Sequence, residues 1–305
     1  MTRDIGPSAG ARRAGTVYFR VASVYPTAPR SKRMTTGELR AVTAFFNAYV
    51  RRFAGDDGIL HPMHQLKLRH SRHVVANAVA IMRAGAWDEP RLLLGAACAL
   101  VHDVGRFSQY AEYRSFEDRH SIDHAERGHQ VLLAADEFAT LAPEDRATIL
   151  SSVRVHNMRE LPAMLSSAEM AFAHLVRDAD KLDIFRVFEE AIREGHLDDH
   201  PEIAWSLDMR GRANPELVAC VRDGRTMNYG AVRSLCDFTL IQVGWLRSQF
   251  HYDAALALAA TRRALEFRET FIGGLDDSAA VRECLAVTRE AMSRRLKTVA
   301  ASQKL

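Results

Sequence analysis

The chain has no CxxC pair, and its four cysteines, Cys98, Cys220, Cys236 and Cys284, stand far apart in apolar segments. That excludes a disulfide framework and a zinc knuckle, and reads as small core thiols in a reducing, cytoplasmic setting. No apolar run approaches the roughly 18 residues that a membrane-spanning helix needs. No stretch alternates apolar and polar residues convincingly at period two, and no Asn-Gly hairpin signal occurs. Internal repeats and a Walker loop are lacking too.

What is present is a globular composition: 305 residues, 48% hydrophobic and 26% charged, enough to bury a sizeable core. The net charge of +3 is unevenly spread. Residues 1–33 hold seven basic side chains against Asp4 alone, a balance of +6, so the remainder of the chain carries −3. The basic stretch reads as a disordered leader, or as an over-extended start ahead of Met34, and it lacks the apolar segment of a secretory signal. A mildly acidic body gives no grip on nucleic acid and none on a membrane.

From Thr35 onward the pattern is helical. Thr35 and Glu38 form a capping box ahead of Leu39, Val42, Phe46, Val50 and Phe53, spaced by three and four. Helices are expected over residues 64–84, from Pro90 to Gly105, from Ser121 to Ala135, and from Pro143 to Asn157. A second capping box, Ser166 and Glu169, opens a long helix to about Gly195. Asn214-Pro215 starts a short one, and residues 231–250, 253–272 and 278–300 give three more. Residues 106–120 show no clean period and read as a polar loop. The fold class is all-α, divided as leader 1–33, core 34–200 and C-terminal helical extension 201–305. A soft boundary lies around 196–230, where glycines and prolines collect.

Histidine is unevenly distributed: eight of 13 fall between positions 61 and 129. His102 and Asp103 end a strongly apolar helix just before Gly105, so an imidazole and a carboxylate are presented together from a buried helix end. One divalent cation can take both, with further ligands from neighbouring helices. His70 lies one helix earlier, on the stripe of Val74, Asn77 and Ile81. Asp180 lies in RDADKLDIF on the long helix. Asp178 is about 200° around that helix from Asp180, so the two do not serve one site. Asp183, three residues on, shares the face of Asp180 and is expected either to support a ligand or to touch substrate.

His70, VHDVGRF and RDADKLD together resemble the H…HD…D signature of the HD-domain metal-dependent phosphohydrolases. SIDHAERGHQVL and VRVHN resemble that superfamily's intervening helices. The resemblance covers roughly residues 64–190. It implies an HD-type helical bundle with additional C-terminal helices and one or two divalent ions (Mn, Fe, Mg, Co or Ni). It adds His124 and His156 as metal-site histidines. In its dinuclear form, Asp103 bridges two cations, with His70, His102 and Asp180 on one and His124 and His156 on the other. One departure is His156-Asn157, where some dinuclear members carry adjacent histidines.

Such a centre makes water nucleophilic near neutral pH and absorbs charge developing on phosphoryl oxygens. Lys181 and Arg106 adjoin the ligands and are candidates to hold substrate phosphates, with Arg114, Arg119 and His120 as weaker ones. With a single ion, His124 becomes a candidate acid for the leaving group. The implied substrate is a phosphorylated small molecule, a nucleotide above all, and a second copy of the chain is a compatible partner. The Gly-Tyr-Pro tripeptide of one cyclic-dinucleotide class is lacking. So is the HDxGHxPF-like run of deoxynucleoside triphosphate triphosphohydrolases. Two other readings stand beside this one: a di-iron HD-type oxygenase of a small organic substrate, and a non-catalytic metal-binding regulatory module. His73 is expected at a helix surface or supporting a ligand, and Trp245, Phe250 and Tyr252 as core packing.

Overall fold

Local sequence signals open most of the helices. In the computed structural model, which describes residues 33–195 and 207–302, Thr35 and Ser166 each accept from a backbone N–H three residues on. In both cases the glutamate there reaches back to the cap. The leader (apart from Arg33) and the boundary expected at 200/201 lie outside the described residues.

Among the described residues 33–195 lie eight α-helices: α1 (Thr36–Arg51), α2 (Pro62–Ala84), α3 (Glu89–Val101), α4 (Gly105–Tyr113), α5 (His124–Leu133), the single turn α6 (Asp136–Ala139), α7 (Pro143–Val155) and α8 (Ser167–Arg193). After them come α9 (Pro215–Arg222), α10 (Leu235–Gly244), α11 (Asp253–Thr261), α12 (Ala264–Leu275) and α13 (Ala279–Ser302). No strand occurs among the described residues, only two isolated bridges, so the fold is all-α. None of these helices is long and apolar enough to cross a membrane.

The principal contacts are α2 against α3 and α8, with α7 packed on α5 and α8. Val74, Ala78 and Ile81 of α2, Ala97 and Val101 of α3, and Leu175, Val176 and Ala179 of α8 are all buried in this seam. The C-terminal helices pack mainly on one another, while α11 reaches α2 and α8. Asp178 belongs to that second contact. Its buried carboxylate accepts the backbone N–H groups of His251 and Tyr252 at 2.9 and 2.8 Å, facing away from Asp180's partners.

Four local expectations need correction. Residues 106–120 are not all loop: Gly105–Tyr113 is helical and buries Phe107, Gln109 and Tyr110. The period was hidden because a buried position is polar. Gln109 donates to Asp118, Ser121 and the Ile122 carbonyl, so its amide is satisfied inside. The helix expected from Ser121 starts instead behind Asp123, whose carboxylate accepts from the N–H groups of Ala125 and Glu126. The helix expected over 253–272 breaks at Arg263, which takes a left-handed φ of 57°. The helix expected over 231–250 starts at Leu235 behind Ser234 and closes with a π-helical turn, Trp245–Gln249.

Candidate metal centre

Helices or helix ends carry five of the six candidate ligands, and Asp103 lies in the turn between α3 and α4. His70 and Asp180 lie mid-helix on the packed α2 and α8. His102 and His156 are the residues that terminate α3 and α7, and each folds its ring back onto its own last turn. His124 is the first residue of α5, set by a close backbone approach. A Cβ placed on Gly105 would meet the His124 carbonyl oxygen at 2.1 Å and the Gly128 nitrogen at 2.6 Å, so only glycine allows α4 to touch α5 there.

Four imidazoles have their Nδ1 atoms occupied. His70 Nδ1 contacts Asp183 Oδ2 at 2.7 Å and His124 Nδ1 contacts Asp118 Oδ2 at 2.6 Å. His102 Nδ1 lies 2.8 Å from the Ala99 carbonyl, and His156 Nδ1 lies 2.7 Å from that of Val153. Carbonyls and ionised carboxylates only accept, so each Nδ1 carries a hydrogen and donates. In a neutral ring that leaves Nε2 as a lone pair, and all four Nε2 atoms point into one space.

Asp103 divides that space. Its Oδ2 lies 3.5 Å from His70 Nε2 and 3.8 Å from His102 Nε2, while Asp180 Oδ1 lies 3.1 and 3.7 Å from the same two nitrogens. Its Oδ1 lies 3.4 Å from His124 Nε2 and 3.5 Å from His156 Nε2. Two triads result, His70–His102–Asp103 and Asp103–His124–His156, each with its donor atoms within 4.8 Å of one another. His102 Nε2 is buried with no hydrogen-bond partner, a costly state for a nitrogen lone pair unless a cation fills it. The buried His/Asp clusters therefore suit a metal ion.

The charges agree. Burial alone would raise the Asp103 and Asp180 carboxyls, but neighbouring cationic groups and histidine hydrogen bonds hold both well below the usual range. Burial likewise opposes a charge on His70, yet its bonds to Asp180 and Asp183 win and lift it to about 9. His124 goes the other way, down to about 4, through burial and the nearby Arg106 guanidinium.

A cavity of about 580 Å³ opens over the cluster and is lined by His70, Asp103, His124, His156 and Asp180. Lys181 and Arg106 both line it. Arg106 is already engaged, with one nitrogen bonding Gln109, the Phe116 carbonyl and Asp118. Lys181 contacts the Arg177 carbonyl, with Asp178 3.7 Å away. Asp183 does not line the cavity; besides His70 it binds Arg186, as a group that orients a ligand does. His73 is half-exposed, 3.5 Å from Asp183. Of the loop candidates, only Arg119 lines the cavity, and it and His120 both pair with Glu117. Arg114 ends α4 over the Tyr110 ring.

Sequence reasoning passed over three residues. Lys67 lines the cavity and places its ammonium 2.8 Å from Asp103 Oδ2. Its position three residues before His70 on one helix was a usable signal. Asp118 orients His124 from a short 3-10 turn, and nothing in the spacing announces that. Arg177 binds the carbonyls of Val155, His156, Met158 and Arg159, holding the segment that carries His156. Trp245, expected as packing only, is buried and also lines the cavity.

Among known proteins, the chain is 30% identical over 135 residues to a protein of Bacillus subtilis (strain 168) named "Putative phosphohydrolase YueE". The match covers 42% of this chain and 74% of that protein. No family model matches the chain, and no solved structure does.

Proposed function

Since the chain belongs to the family of the putative phosphohydrolase YueE, we propose that it is an HD-type, metal-dependent hydrolase of phosphate esters or anhydrides. The observation that carries this reading is the convergence of four Nδ1-anchored imidazoles on the two oxygens of one carboxylate, Asp103. His70, His102, Asp103 and Asp180 are assigned to one cation, and Asp103, His124 and His156 to a second. The bound ions would supply Lewis acidity, making water nucleophilic near neutral pH and countering charge on the phosphoryl oxygens.

The chain's own residues do the rest. Asp183 and Asp118 fix the rings of His70 and His124, which keeps their Nε2 atoms aimed at the centre. Lys67 places its ammonium beside Asp103, and Lys181, bonded to the Arg177 carbonyl, lines the same cavity; both add positive charge that attracts a phosphate. Arg106 pins the 116–118 segment and adds positive potential. With a single ion, a proton for the leaving oxygen would first have to be placed on His124 Nε2, and burial holds the pKa of that ring down at about 4. Nucleotides are the first substrates to try.

The test is phosphate release over a panel of nucleotides, cyclic nucleotides and simple phosphate esters with Mn²⁺, Mg²⁺, Co²⁺, Fe²⁺ and Ni²⁺. Oxygen uptake is recorded in parallel. Release abolished by Asp103→Ala is expected. Dioxygen consumption without phosphate release would replace the hydrolase by an oxygenase. Metal binding with neither activity would leave a regulatory module.

A further inference from the structure

The cavity is far larger than a phosphate group requires, and at about 580 Å³ it lies in the range that takes whole small organic molecules (roughly 300–1,000 Å³). Its two ends differ in chemistry. The metal end carries the carboxylates, imidazoles and ammonium groups described above. The other end is walled by Ile184, Val187 and Phe188 of α8, and by Val232, Phe238 and Trp245 of the C-terminal segment. Ile184, Val187 and Phe188 follow Asp180 by four, seven and eight residues. At 1.5 Å per residue they lie about 6 to 12 Å along α8 from that ligand.

Polar side chains stand beside these walls too, Tyr229 and Gln249 among them. The Trp245 indole nitrogen donates to Tyr229 Oη at 2.8 Å, so its one donor is used. Gln249 also lines the cavity, and its Nε2 is buried with no hydrogen-bond partner. Trp245 and Gln249 are the two ends of the π-helical turn that closes α10. Such turns are rare and recur at functional sites. A buried, unsatisfied amide is costly in a protein interior, and a turn of the Gln249 side chain towards the cavity would let a ligand atom meet it.

We propose that this end is the subsite for the organic part of the substrate. It takes an uncharged group with apolar faces and one hydrogen-bonding atom, held between α8 and the Trp245–Gln249 turn while the phosphate lies at the metal cluster. This rests on the phosphohydrolase reading and adds a substrate class to it. The C-terminal helices are thereby part of the binding site, with Trp245, Val187 and Gln249 setting specificity.

The experiment measures binding of benzylphosphonate and methylphosphonate to the Mn²⁺-loaded full chain by calorimetry. Neither compound has a bond that hydrolysis at phosphorus would break. Benzylphosphonate is expected to bind at least tenfold more tightly. Val187→Asn, on a half-buried wall position, and Trp245→Ala should each erase most of that preference and leave methylphosphonate affinity unchanged. Helix content by circular dichroism verifies that each variant is folded. Equal affinities in the native chain, or a preference that survives in folded Val187→Asn, would overturn the subsite. Binding of neither phosphonate would instead overturn the phosphohydrolase reading on which it rests.

Discussion

His124 and His156 face each other with their Nε2 atoms 3.0 Å apart, and neither has a proton to offer the other. Each ring spends its hydrogen at Nδ1, on Asp118 and on the Val153 carbonyl. Two lone pairs at that distance repel unless a positive charge lies between them or beside them. Asp103 Oδ1, 3.4 and 3.5 Å away, adds a third electron-rich atom. A positive charge, from a cation or from a proton added to one ring, relieves this arrangement.

The groups behind the rings are therefore expected to govern metal affinity. Asp118→Asn and Asp183→Asn remove no candidate ligand, yet each should weaken metal binding by about 10–100-fold. Titration with Mn²⁺ or Co²⁺ against a chelator of known affinity reads this directly. An unchanged affinity in both variants would place the ion elsewhere.

Protons and metal compete for His70. Its pKa in the metal-free fold, about 9, lies above the unperturbed value, so the folded state binds the proton more tightly than the unfolded chain. In chelator, its contribution to stability is fully present below roughly pH 6.5 and is lost as pH rises to about 9. The midpoint of thermal unfolding should fall over that window, and His70→Gln should flatten the fall. With metal the dependence reverses, because binding must expel the proton: apparent affinity rises with pH up to about 9.

Gly105→Ala tests the contact between α4 and α5. The added methyl meets backbone rather than a side chain that could swing away, so the helices must separate. A loss of about 1–3 kcal/mol is expected in denaturant unfolding. Metal bound through His124 and His156 should be lost before that bound through His70 and Asp180.

Arg268 joins the C-terminal helices to the helix that carries Asp180. Fully buried on α12, it bonds Glu189 at 2.8 Å, Gln242 at 2.9 Å and the Phe185 carbonyl at 3.3 Å. Arg268→Ala strips these partners at once and should cost about 3–5 kcal/mol. Urea unfolding measures it, and a cost under about 1 kcal/mol would mean that the network relaxes without it.

Much of this was written in the sequence. Capping boxes at Thr35 and Ser166 fix two helix starts because a hydroxyl and a glutamate three residues apart satisfy local backbone donors, whatever the rest of the chain does. Spacing of three and four marked the inward face of α2 and with it the side on which His70 stands, while the apolar run of α3 announced a buried helix end at His102. These are short-range effects, and they made the all-α class and the candidate ligands legible. Only the tertiary structure decided that Gln109 is an interior residue, that Asp118 holds His124, and that Trp245 and Gln249 share a cavity with Asp180. Each depends on segments distant in sequence meeting in space, where a polar side chain finds its partner or goes without one. No local pattern records such a meeting.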